Sequence, residues 1–199
     1  MTRDHQRSRR LRGDRGAALV EAAVVLPMLA LLVFGIVELG FLFRSASIAV
    51  SATRSGARLA AANYGSTLSA SDRTTVLTNV RLTVEQDLRS KSSVDTPVKL
   101  WIYRSTTAGF PQGQTDFSNC STDCVVYSGW DSGSSSFTTS SGSWTSFTAC
   151  GTSKDSVGVY LQMTHSPIGF SNFMGSITLN EHTVMTLEPP IPNTCPLGS

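Results

Sequence analysis

Between Ala17 and Phe43, apolar and small residues follow one another with only Glu21, Pro27 and Glu38 breaking the pattern. As a helix this run of about 27 residues is close to 40 Å long, enough to cross a hydrocarbon core of about 30 Å. It predicts a membrane span. The next segment, Arg44 to Tyr64, keeps helical spacing in Ala, Ser and Gly, with Gly56 its one strong breaker, and predicts the same helix continuing past the bilayer. Gly65 and a serine cluster then predict a turn, with Ser71 as N-cap of a second helix over Asp72 to Ser90. There Val76, Val80, Val84 and Leu88 make an apolar stripe against Arg81, Glu85 and Arg89, so this helix needs something to pack on.

Beyond it the period changes to two. Val98, Leu100 and Ile102 alternate with Lys99, Trp101 and Tyr103, and Val157, Val159, Leu161 and Met163 alternate in the same way. The stretch from Ser176 to Pro189 predicts a third strand or a bent pair. Between the first two strands lies a Ser/Gly-rich loop region, residues 105–156, expected to be long loops with short strands. Its aromatic residues Trp130, Phe137, Trp144 and Phe147 read either as anchors pinning that loop to the sheet or as a carbohydrate-binding surface. The expected fold class is α+β: a long N-terminal transmembrane helix, a second amphipathic helix and a small antiparallel sheet.

Charge orients this arrangement. The chain has 199 residues and a formal charge of +2, room for one span and one modest domain rather than a multi-domain enzyme. Residues 1–16 hold Arg3, Arg7, Arg9, Arg10, Arg12 and Arg15 against Asp4 and Asp14. Such a basic cytoplasmic leader, expected to be disordered, puts the N-terminus inside, and the apolar run explains its charge without nucleic acid. No second run is long enough to cross again, so residues 17–64 are expected to form the span with its extension and residues 65–199 an extracytoplasmic domain.

Cys120, Cys124, Cys150 and Cys195 all follow the span, where an oxidising compartment permits disulfides. Four cysteines allow three pairings; Cys120 with Cys124 and Cys150 with Cys195 is the preferred one. Zinc would want a second close ligand pair, yet Cys150, Cys195, His165 and His182 are scattered singly. No nucleophile elbow, phosphate loop or metal-binding His pair occurs, so neither a catalytic residue nor a cofactor is expected.

The residues Arg15, Gly16, Leu19, Val20, Glu21, Leu26, Pro27, Gly35, Ile36, Val37, Glu38 and Gly40, followed by Ala52, Arg54, Gly56, Ala57, Arg58 and Ala60, resemble the pattern of the TadE-like family. These are pseudopilin-like membrane proteins of bacterial tight-adherence (Tad/Flp) pilus systems. The match runs from about Arg15 to Ala62, and Ala22 stands where many members carry an aromatic. The late segment His182 to Pro189 is similar to the tail of actinobacterial members. The resemblance implies a pilin-like fold, cutting by a prepilin peptidase between Gly16 and Ala17, and association with other Tad pilins, pseudopilins and the assembly platform. Glu21 would then be the fifth residue of the mature chain.

That position poses an electrostatic problem, because a carboxylate at the centre of a span costs about 2.5 kcal/mol or more. In the uncut chain Arg12 or Arg15 would meet it. After cleavage its partner would be the new α-amino group of Ala17, on the same subunit or a neighbour, which makes Glu21 a candidate register-setting residue in assembly. Pro27 removes one helical hydrogen bond and is expected to bend or loosen the span beside such neighbours. Glu38 reads as a boundary acid, and Ser51, Ala52, Ser55 and Gly56 as a face for close packing on the sheet or on another subunit. The alternatives are an uncleaved single-pass anchor for an extracytoplasmic binding or adhesion domain, and a secreted protein whose signal peptide ends near Val50-Ser51-Ala52.

Overall fold

The structure is a computed structural model that describes residues 4–63, 70–144, 148–150, 154–168 and 175–188. Gly65 and its serine turn, Phe147 and Cys195 lie outside the described residues. The chain divides into two compact units, residues 1–41 and 42–199.

The first unit is the N-terminal part of one long helix, α1 (Asp4–Asn63). Helix begins at Asp4, inside the arginine-rich leader. Arginine has high helix propensity, and once the apolar segment is helical, propagating back into the leader avoids a fresh nucleation cost. Pro27 lies inside the helix, which continues on both sides of it. From Gly16 to Val37 every residue is exposed. An apolar helix with no side buried is one whose complement is hydrocarbon or another helix.

The second unit holds the rest of α1, the helix α2 (Ala70–Leu88) and five strands: β1 (Asp95–Ser105), β2 (Cys124–Asp131), β3 (Ser136–Ser143), β4 (Ser156–His165) and β5 (Ile177–Thr186). Ser71 is not the N-cap: Ala70 is already helical, and the Ser71 carbonyl accepts a bond from Thr75 Oγ1 at 3.0 Å. The strands form one antiparallel sheet in the order β3-β2-β1-β4-β5. Ile177 to Thr186 is a single strand, not a bent pair. Register slips between Pro97 and Lys99, where a residue without an N–H cannot serve the ladder.

The Ser/Gly-rich region departs most from expectation. It supplies β2 and β3, each of eight residues, and β2 lies directly beside β1. Val125 and Tyr127 are buried on the helix-covered side of β2 and Cys124 on its opposite side, whereas every residue of β3 from Thr138 to Ser143 is exposed. Pairing and a turn therefore make β3 a strand, since its own pattern does not. Asp131 organises that turn, accepting from Gly133 N–H at 3.1 Å, Ser134 N–H at 3.0 Å and Ser134 Oγ at 2.6 Å.

Helices cover one face of the sheet. Ala49, Ala52, Ala57 and Ala60 of α1 join Val76, Val80, Val84 and Leu88 of α2 in one core with Leu100, Ile102, Val157, Val159, Leu161 and Met163. Alanine and Gly56 let the helices approach closely; a Cβ on Gly56 would stand 2.8 Å from Val84 Cγ2. Phe137 and Trp144 belong to the same core, and Trp130 packs edge-on against Phe137 at 5.1 Å, so these aromatics are anchors. At the sheet edge, Glu85 Oε1 accepts the Phe137 N–H at 2.8 Å while Arg81 Nη1 donates to Glu85 at 3.0 Å and to the Phe137 carbonyl at 3.2 Å.

Residues of opposite parity build a smaller core on the other face, where Trp101, Tyr103, Cys124 and Tyr160 are buried under Phe117, Cys120 and Val126. The ring of Phe117 stacks on Tyr160 at 4.8 Å and 9°. Tyr103 lies over Gly158, where any Cβ would enter its ring, and donates its hydroxyl to the Gly109 carbonyl at 2.8 Å.

Candidate assembly surface

Within the first unit, Gly16, Ala17, Glu21 and Pro27 lie along exposed helix. A Cβ added at Gly16 meets nothing within 4 Å, so packing does not require glycine there. Ala17 and Glu21 stand four residues apart, about 6 Å along the axis and on one face. The side chains of Arg12 and Arg15, expected partners of Glu21, lie outside those described. What the helix offers chemically is a long apolar surface with a single carboxylate near its start.

The cysteines are in the second unit. Cys120 and Cys124 form a disulfide with Cα atoms 5.8 Å apart, tying the chain just after Phe117 to the start of β2. Cys150 is also disulfide-bonded.

One polar cluster escaped sequence reasoning. Ser45 of α1, Asp95 of β1 and His165 of β4 are all buried, with Ser45 Oγ on one oxygen of Asp95 and His165 Nδ1 on the other. The three residue types suggest a catalytic triad, but their order does not: the carboxylate sits between serine and histidine, so this contact does not join nucleophile to base. Only two members, Asp95 and His165, are strand ends, and they are 70 positions apart. No local signal marks such a pairing. The described residues contain no group of three or more His, Cys, Asp or Glu arranged to hold a metal.

The packing face anticipated around Ser51, Ala52, Ser55 and Gly56 divides. Ala52 and Gly56 turn into the core, while Ser51 is exposed and Ser55 half-exposed. Arg54 and Arg58 are exposed as well. The small residues of this segment thus have a folding role, and the arginines do not share it.

No curated protein matches the chain, and no solved structure does. Residues 16–58, which hold the exposed apolar helix and the small-residue segment that packs on the sheet, match the family model of the TadE-like proteins.

Proposed function

We propose that this protein is a minor pseudopilin or assembly component of a Tad/Flp-type pilus, structural rather than catalytic. A single pass anchors it with the N-terminus in the cytoplasm and the α+β domain outside the membrane. A prepilin peptidase cuts between Gly16 and Ala17, and the freed helix joins other pilins or pseudopilins and the assembly platform. The observation that carries this reading is the unburied apolar helix with Glu21 near its start, inside the TadE-like segment.

Cleavage would remove the six leader arginines and place an α-amino cation on Ala17, a turn from Glu21. Two charges near hydrocarbon are each costly alone, and pairing them on one subunit or between two relieves both. Glu21 then selects the stagger at which a subunit enters.

The experiment combines N-terminal sequencing of protein from native cells with capture of the pilus machinery by wild type and Glu21→Ala. A start at Ala17, and a Glu21→Ala variant that is inserted and cut but no longer co-purifies, is the expected result. A start at Met1 or unchanged co-purification rejects it.

A second reading, an uncleaved membrane-anchored binding or adhesion domain, is favoured by Gly16 lying within continuous helix, because a protease needs extended chain and local unwinding must come first. The secreted alternative fits poorly. Cutting near Ala52 would divide α1 between Ala49 and Ala57, both of which are buried in the core.

A further inference from the structure

The face of α1 turned away from the core carries Ser47, Val50, Ser51, Arg54, Ser55 and Arg58, which line a shallow depression of about 310 Å³. Neither guanidinium group forms an ion pair or hydrogen bond among the described residues. Glu188 shares an adjoining depression with Arg58 without bridging to it. Two guanidinium groups four residues apart, beside serines small enough to admit a close neighbour, form a row matched by carboxylates at the same spacing on a facing helix.

We propose that this stripe is the docking surface for an acidic helix of a different membrane-anchored subunit, with Arg54 and Arg58 as its charge-reading residues. The inference rests on the pilus-assembly reading and adds the chemistry of the partner. Arg54 lies eleven residues beyond Phe43, about 16 Å along the helix, whereas the headgroup layer adds only about 5–8 Å to the hydrocarbon core on each side. Lipid phosphate is therefore the poorer occupant. A second copy of this chain presenting the same stripe is also disfavoured, because the stripe carries two arginines and no carboxylate to meet them.

The test places a photo-cross-linking amino acid at Ser51 of the full-length protein in its native cell. The expected result is an adduct with another protein, mapped to a helical segment bearing carboxylates. It falls by at least about tenfold in Arg54→Glu/Arg58→Glu and returns when the mapped carboxylates are changed to arginine. No adduct, an adduct with lipid or with the same chain, indifference to the charge reversal, or failure of the swap to restore it overturns the proposal. If the reversal lowers accumulation, Arg54→Gln/Arg58→Gln is read in the same way. N-terminal sequencing of the same samples separates the two ideas. An Ala17 start with a charge-indifferent adduct rejects the docking surface alone, and a Met1 start rejects processing while the adduct still decides the docking surface.

Discussion

Nδ1 of His165 lies 2.7 Å from Oδ1 of Asp95, with both side chains closed off from solvent, and the contact joins the last residue of β4 to the first of β1. The second carboxylate oxygen accepts from Ser45 Oγ at 2.6 Å and from Ser92 N–H at 3.3 Å. Asp95→Ala strands all of these donors, so it is expected to cost about 3 kcal/mol or more, against about 1 kcal/mol for Ser45→Ala. Denaturant unfolding of the detergent-solubilised protein measures both, and equal losses would contradict the shared-acceptor account.

Gly56 tests the helix packing. Gly56→Ala places a methyl against Val84, and overpacking of this kind is expected to destabilise by about 1–3 kcal/mol. Val84→Ala opens space in the same place. In that background the glycine substitution should lose most of its effect, because the two sites share one contact. Additive losses in a double-mutant cycle would mean that the glycine serves something other than this approach.

Burial raises the phenol of Tyr103 far above its usual range, and it raises those of Tyr127 and Tyr160 too. A folded-state pKa above the unfolded one contributes stability that is full below about pH 10 and is lost as pH climbs beyond it. Alkaline titration followed by ultraviolet absorbance should therefore show these phenols ionising together with unfolding. Tyr103→Phe should move that alkaline transition upward, although it gives up the bond to Gly109, worth about 1 kcal/mol near neutral pH. A transition left in place by Tyr103→Phe would count against Tyr103 as the limiting group.

In acid the sign reverses. Bonds from the Ser134 side chain and from the Gly133 and Ser134 amides hold the Asp131 carboxyl below its ordinary value. Its contribution is present above the unfolded-state pKa of about 4 and fades as pH falls through the lower folded one. Amide exchange in the β2–β3 turn should quicken over that window in wild type. In Asp131→Ala it should be fast at every pH, and a wild-type turn unaffected by acid would refute the coupling.

How far the fold was legible depended on period. The Val76, Val80, Val84 and Leu88 stripe faces the core, and β4 runs over the alternating residues from Ser156 to His165. β3 was not legible, because a strand built almost wholly of Ser, Thr and Gly has no apolar face to alternate, and only its partner defines it. The buried Asp95–His165 contact was equally hidden, since a period reports which side a residue faces and not which distant residue it meets. The division of labour along α1 fell between these cases. Spacing alone selects small residues at 51, 52, 55 and 56, but the sheet decides which of them it buries.

The grip of Arg81 and Glu85 on Phe137 bears on how copies behave when crowded. The main-chain donor and acceptor of Phe137, those a newcomer would need to start zipping onto the margin of the sheet, are already engaged by α2. The remainder of β3 offers hydroxyls and glycine, without the greasy side chains that make such zippers adhere. Lateral merging of sheets is thus discouraged at this margin. The apolar surface that the described residues leave open to a neighbour is instead that of α1.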